Sequence, residues 1–122
     1  MRNKIVGIVG CSDSRAAQAI AEQLETGRQA LIITAGRARA ERLSSDLSFF
    51  CDRNVLTVPA DEHIFLGYRA RSREDQVERL KAIKALRTDP EAAVVVPASA
   101  ACRRMPPHDS FDSSTLQLKV GE

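Results

Sequence analysis

Aromatic residues are scarce in this sequence. Its 122 residues include no tryptophan, one tyrosine and four phenylalanines, so few rings are available to stack on the bases of single-stranded nucleic acid. Long apolar stretches are also missing. No run approaches the length of about 18 residues that a membrane-spanning helix needs, and the N-terminus lacks the apolar core of a signal peptide. These absences predict a cytoplasmic protein with no membrane partner.

Cysteine and histidine are equally sparse. The three cysteines, Cys11, Cys51 and Cys102, are widely spaced and form no C-x-x-C pair, and His63 and His108 are scattered as well. A metal site needs several such ligands at short, regular spacings, so we expect none here. The cysteines are interpreted as buried or half-buried reduced thiols.

Charge of one sign is not in large excess. Lysine and arginine number 18 against 16 acidic residues, a net charge of +2 that neither requires nor excludes a nucleic-acid partner. Hydrophobic residues make up 43% of the chain and charged residues 28%, proportions that exclude wholesale disorder. The length suits one small domain, over residues 1–122, and is too short for two.

The most informative stretch that is present spans residues 4–14, K-I-V-G-I-V-G-C-S-D-S. It predicts a strand that leads through a glycine loop into a helix, the layout of the phosphate-binding loop G-x-x-x-x-G-K-[ST]. In that template the lysine reaches the β and γ phosphates and the hydroxyl holds Mg²⁺. Aligned on the template, the chain keeps the frame with Gly7, Gly10, Cys11, Ser12 in place of the second glycine, Asp13 in place of the lysine, and Ser14 at the hydroxyl position.

The substitution of Asp13 for lysine inverts the charge of the loop. Two unit charges about 4 Å apart interact by roughly 4 kcal/mol at an effective dielectric constant near 20, so nucleotide binding should be lost. Ser12 adds a second handicap, because glycine there would take a positive φ at no cost. We interpret the loop as a remnant, for which no cofactor is expected. An altered nucleotide site, or anion binding at the helix N-terminus through Ser14 and Arg15, remain the alternatives.

Strand and helix signals alternate along the rest of the chain. Apolar residues at three- and four-residue spacing predict helices, and short apolar runs between turn residues predict buried strands. The helices are expected at residues 14–26, 40–50, 73–87 and 99–104, and the strands at 30–34, 55–58 and 92–96. The third helix is expected to bury Val77, Leu80, Ile83 and Leu86. Residues 116–120 alternate in polarity, as in an edge strand or an exit towards another domain.

This alternation predicts an α/β fold with three layers, in which a mostly parallel sheet carries helices on both faces. Residues 92–96, A-A-V-V-V, form the most continuous apolar run and should be the central strand. No catalytic residue is expected. The strand leads into Pro97-Ala98-Ser99 where a nucleotide hydrolase would place a magnesium-binding carboxylate.

Arginines cluster around a loop predicted at residues 60–71. Arg69, Arg71 and Arg73 occupy every second position, and Arg79 follows in the next helix. Such a cluster is typical of a solvated surface, and it is also suited to contacts with phosphates or a protein partner. Both interpretations stay open from the sequence.

Several stretches taken together resemble one family. They are G-I-V-G-C-S-D-S, A-L-I-I-T, A-E-R-L-S-S-D-L-S-F-F at 40–50, V-L-T-V-P-A-D-E at 55–62, E-R-L at 78–80, and V-V-V-P-A-S-A-A-C-R-R-M-P-P at 94–107. This succession looks like the N-terminus of the bacterial transcription-repair coupling factor (Mfd) family. The second helix and the proline-rich ending are its specific parts, whereas the glycine loop alone would be weak.

The resemblance implies a fold similar to the first half of the ATPase core of UvrB, a degenerate half of a P-loop NTPase or RecA-like unit. It also implies a parent protein that is an ATP-driven double-stranded-DNA translocase, which displaces stalled RNA polymerase and recruits UvrA. ATP and Mg²⁺ would act in motor domains further along that parent. This chain would then be a non-catalytic fragment that packs against the rest of its UvrB-like module.

Two other functions fit the residues. One is an independent nucleotide- or anion-binding domain, in which Ser14, Arg15 and the loop amides would hold a phosphate despite Asp13. The other is a nucleic-acid-binding module that uses Arg69, Arg71, Arg73 and Arg79, whose affinity would fall steeply with salt.

Overall fold

The computed structural model describes residues 4–59, 73–102, 108–116 and 118–121. Helices and strands alternate along these ranges, as the sequence predicted. In chain order they are α1 (Asp13–Leu24), β1 (Ala30–Thr34), α2 (Arg37–Phe50), β2 (Val55–Thr57), α3 (Arg73–Thr88), β3 (Ala93–Pro97), α4 (Ala98–Ala101) and α5 (His108–Ser113). The loop predicted at 60–71 lies wholly outside the described residues.

The three strands form one parallel sheet in the order β1-β3-β2. Ala30 of β1 and Val55 of β2 both lie opposite Ala93 of β3, so the two outer strands start level with the central one. All five residues of β3 are buried. The prediction that the A-A-V-V-V run forms the central strand is therefore confirmed, because only a strand covered on both faces hides every side chain.

Helices cover both faces of this sheet, which confirms the three-layer α/β fold. Ala93 and Val95 of β3 point to one face and pack against α1 and α2, while Val94 and Val96 point to the other face and pack near α3 and α4. The first cluster also contains Ala17, Ala21, Leu24, Ala40, Leu43 and Leu47, and the second contains Val58, Ala82 and Ala100.

The ends of the helices follow local chemistry. Gly27 has a φ of +76°, a left-handed conformation that lets the chain turn from α1 towards β1. At the far end of α3, Arg87 lies in the last turn, where a positive charge suits the helix dipole. The Gln29 amide donates to the carbonyls of Leu86 and Asp89 at 2.6 and 3.0 Å, so the start of β1 is joined to the end of α3.

The prediction of a strand before the glycine loop is wrong. Residues 4–9 form no helix or strand, and they are exposed, with Ile5 at 96% and Val9 at 97% of full exposure. Both sides of β3 are already taken by β1 and β2, and residues 4–9 pair with neither outer strand. Apolar β-branched residues favour a strand, but a strand forms only where a hydrogen-bonding neighbour exists.

Two side chains of α3 that were predicted to be buried are exposed. Ala82 and Ile83 face the sheet, Leu86 is half-buried, and Val77 and Leu80 remain 45% and 50% exposed. Residues 79, 82, 83 and 86 share one side of a helix, whereas 77, 80 and 84 share another side about a quarter to half a turn away. The sequence carries two apolar stripes, and only one of them meets the sheet.

The C-terminal part also departs from expectation. The helix predicted at 99–104 is the short α4, and the described residues of that range end at Cys102. Helix α5 was not predicted, because His108-Asp-Ser-Phe-Asp-Ser113 has a single large apolar residue and shows no apolar periodicity. The described residues 116 and 118–120 form no strand, and their apolar side chains are exposed. In the part of the chain that the structure describes, no helix is long and apolar enough to cross a membrane.

Candidate functional site

The remnant phosphate loop has an open, unsupported conformation. Gly10 has a φ of +78°, and Ser12 is the N-cap of α1 without a side-chain hydrogen bond to the helix. A Cβ added at Gly7 or Gly10 would meet no atom within 4 Å, so nothing packs closely against the loop at these two glycines.

The position of the template lysine is occupied by an ion pair. Asp13, the first residue of α1, accepts a hydrogen bond from Nη1 of Arg39 in α2 at 2.5 Å. Both side chains are 53% exposed. An exposed pair of this kind contributes only about 0–1 kcal/mol to stability. Its main effect here is that each charged group engages the other. The acid that replaces the lysine already holds a cation from the neighbouring helix.

The cleft between this pair and the next turn of α2 is too small for a phosphate. A cleft of about 10 Å³ separates Asp13 and Arg39 from Arg42, Leu43 and Asp46. Ligand sites for small molecules usually occupy about 300–1,000 Å³. Of the predicted loop residues, Gly7, Gly10, Cys11, Ser12 and Ser14 are exposed. Gly10 and Cys11 line, together with Arg39, a separate open groove of about 850 Å³ beside α1.

A second groove lies at the carboxyl ends of β2 and β3, the place where open α/β sheets usually bind ligands. Its volume is about 430 Å³. Hydroxyl groups line it, and the Thr57 hydroxyl is 2.7 Å from that of Ser44 in α2. Its lining residues are Arg37, Ala40, Glu41, Ser44, Ser45, Ser48, Thr57, Val58, Pro59, Asp75 and Pro97.

None of the sequence motifs pointed to this groove. Its signal was the serine spacing in α2, since Ser44 and Ser48 lie one turn apart on a helix where serine is not favoured. Ser48 donates to the Ser44 carbonyl at 2.9 Å. Arg37 pairs with Glu41 at 2.8 Å at the rim. The lining combines hydroxyls with the carboxylates of Glu41 and Asp75 and the guanidinium of Arg37, so the groove is suited to hold a polar group.

The structure places two of the four arginines singled out from the sequence. Arg69 and Arg71 lie outside the described residues. Arg73 begins α3 and is exposed, whereas Arg79 is half-buried and its Nη1 donates to the Ala100 carbonyl at 3.4 Å. Arg79 thus links α3 to α4. A phosphate or partner contact through these arginines stays a prediction.

One face of the sheet is left partly uncovered. Leu31 and Ile33 of β1 point to the side of α3 and α4 but remain 57% and 60% exposed, because those helices cover β2 and β3. We call these two side chains the open face. Within the described residues β1 also has a strand neighbour on one side only. An apolar sheet face next to an unpaired edge is a surface suited to docking.

The interpretation of the thiols needs correction. Cys51 is half-buried as expected, but Cys11 and Cys102 are exposed. Cys11 belongs to the exposed loop before α1, and Cys102 caps the short α4 at the surface. Among the described residues, no three histidine, cysteine or acidic side chains are grouped as a metal site requires.

Comparison with known proteins gives one informative match. No protein-family model matches the chain, and no solved structure matches it. The chain is 35% identical over 119 residues, 96% of its length, to a segment of the transcription-repair-coupling factor of Bacillus subtilis. That segment makes up 10% of the relative's length. This match confirms the family resemblance predicted from the motifs over nearly the whole chain. The chain spans about a tenth of the length of this relative.

Proposed function

Because the chain is similar along nearly its whole length to a segment of a transcription-repair-coupling factor, we propose that it is the N-terminal UvrB-like module of such a factor. In this proposal the module is a non-catalytic scaffold with a regulatory role, and its fold is a degenerate half of a P-loop NTPase. It uses no cofactor of its own.

The observation that carries the proposal is the Asp13–Arg39 ion pair. A working phosphate loop presents an unpaired cation to the β and γ phosphates. Here an acid stands in that position, and its partner Arg39 is held 2.5 Å from it. The carboxyl end of β3 continues into Pro97, Ala98 and Ser99, none of which could hold Mg²⁺ as a carboxylate does. Both features support a module that uses no nucleotide of its own.

The open face supports the scaffold part of the proposal. Leu31 and Ile33 lie beside an unpaired strand edge, and covering each of these half-exposed side chains would gain on the order of 1 kcal/mol. We propose that the rest of the UvrB-like module packs against this face. The packing would be intramolecular in the longer protein.

The activities of the whole factor belong to the same proposal. The parent would be a cytoplasmic, ATP-dependent double-stranded-DNA translocase that displaces stalled RNA polymerase and recruits UvrA for nucleotide excision repair. ATP and Mg²⁺ would act in its motor domains, and this module would restrain the motor until polymerase is engaged.

A calorimetric titration with Mg-ATP tests the loss of nucleotide binding. The protein should give no binding heat, since Asp13 repels the phosphates and Arg39 is engaged. Asp13→Lys alone places two cations side by side, so the structure favours the pair Asp13→Lys with Arg39→Gln as the variant that regains binding. Arg42→Gln, one turn further along α2, is the matched control for loss of a positive charge. Micromolar binding by the unaltered protein would overturn the proposal and indicate a nucleotide sensor.

The regulatory part is tested in a full-length coupling factor. Deletion of the segment that corresponds to this chain should leave ATP hydrolysis and DNA translocation intact, because no step of the chemistry depends on it. The basal ATPase rate should rise if the module restrains the motor. Loss of hydrolysis in a deletion variant whose circular dichroism shows a folded remainder would contradict a non-catalytic role.

A further inference from the structure

Helices α3 and α5 border a groove that has no part in the proposed scaffold function. Its volume is about 490 Å³, within the range of about 300–1,000 Å³ that is usual for ligand sites. The groove lies on the second apolar stripe of α3, the one that does not meet the sheet. Its lining residues are Val77, Leu80, Lys81, Lys84, Ser110, Phe111, Ser114 and Thr115.

The floor of the groove is apolar and accessible to water. Val77 and Leu80 are 45% and 50% exposed, and Phe111 of α5 is half-buried opposite them. Val77 and Leu80 are three residues apart, so they stand on the same side of α3. An amphipathic peptide helix can lay its apolar face into a hydrophobic groove of this kind.

The rim of the groove is positively charged. Lys81 and Lys84 lie beside the floor on α3, and none of the lining residues is acidic. Lys81 has a partner, Glu78, at 2.9 Å. Lys84 forms no ion pair with any carboxylate in the part of the chain that the structure describes, so its ammonium group is available to a ligand.

The second wall of the groove is anchored. Arg87 near the end of α3 pairs with Asp112 of α5 at 2.5 Å, and its guanidinium lies 5.7 Å from the centre of the Phe111 ring. The Arg87 side chain is only 20% exposed, which strengthens both contacts. These two contacts join α5 to α3 along one side of the groove.

From the apolar floor and the unpaired cation at its rim, we propose that this groove binds an acidic amphipathic peptide segment of a partner protein. Two apolar side chains of the segment contact Val77, Leu80 and Phe111, and its carboxylates pair with Lys84 and, in exchange for Glu78, with Lys81. The tail of this chain, or of a second copy, is a poor occupant. Residues 116–120 carry Lys119, which would face the lysines of the rim.

Charge reversal tests the proposal directly. The probe is a short fluorescein-labelled peptide with leucines at helical spacing separated by glutamates, and its counterpart carries lysine at every glutamate position. Fluorescence anisotropy should show saturable binding of the acidic peptide only. Lys84→Glu should weaken that binding about fivefold or more and admit the basic peptide, since an attraction is replaced by a repulsion. Lys4→Glu makes the same charge change on the N-terminal segment and should leave the affinity unchanged.

Two further measurements keep the test decisive. Leu80→Ser should weaken binding of the acidic peptide without making it less sensitive to salt, because the apolar floor is reduced and the lysines remain. Equal affinity of the acidic peptide for the protein and for Lys84→Glu would overturn the proposal. So would absence of saturation with the unaltered protein, or Lys84-dependent binding of a DNA duplex in place of the peptide, which would assign the rim to phosphates.

Discussion

Val95→Asp is expected to unfold the protein. Val95 lies in the central strand with no exposed surface, surrounded by the apolar side chains of α1, α2 and β3. A carboxylate there has no polar partner, and an uncompensated buried charge costs at least about 4 kcal/mol. A small domain has a free energy of unfolding of about 5–15 kcal/mol, so the substitution removes a large part or all of it. Far-ultraviolet circular dichroism at 25 °C would measure the loss.

The matched control is Ile33→Asp, the same kind of change one strand away. Ile33 lies opposite Val96 in the sheet but is 60% exposed on the open face. Its replacement should cost less than about 1 kcal/mol, the span of strand propensities, because the new carboxylate stays in water. If Ile33→Asp unfolds the protein as Val95→Asp does, the open face is covered in solution. A folded Val95→Asp would contradict the central position of β3.

Leu47→Ala should lower the free energy of unfolding by about 2–5 kcal/mol, the usual cost of a cavity at a buried leucine. Leu47 has no exposed surface and packs in the cluster that α1 and α2 form against β3. Urea denaturation should show a lower midpoint with an unchanged slope, because the folded and unfolded surfaces stay nearly the same.

Leu116→Ala removes the same atoms from a side chain that is 86% exposed. Its expected effect is within about 0.5 kcal/mol, as for most surface substitutions. The difference between the two leucines measures burial alone, since the chemistry of the change is identical. A loss at Leu116 as large as that at Leu47 would show that the tail is packed against the protein in solution.

The sequence by itself determined the layers of the protein. The run A-A-V-V-V leaves no polar side for water, so it could only become a strand covered on both faces, as β3 is. The stripes of Ala17, Ala21 and Leu24 in α1, and of Ala40, Leu43 and Leu47 in α2, indicated helices with one buried side. These predictions held because each depends on the periodicity of a short segment.

The candidate sites depended on contacts between distant segments. Asp13 pointed to a failed phosphate loop, but its partner Arg39 lies 26 residues away and no local pattern joins them. The groove between α3 and α5 exists because Arg87 holds Asp112, 25 residues further along the chain. Neither pairing follows from a periodic pattern in the sequence.

Only the tertiary structure decided which apolar residues would be covered. Residues 4–9 and 30–34 are similarly rich in isoleucine and valine or leucine, yet only the second stretch found a neighbour in β3. Val77 and Leu80 match the apolar spacing of a helix as well as Ile83 does, but the sheet receives only the side that carries Ile83. An apolar pattern indicates that a surface can be buried. The width of the sheet and the angle of each helix decide which of these surfaces is covered.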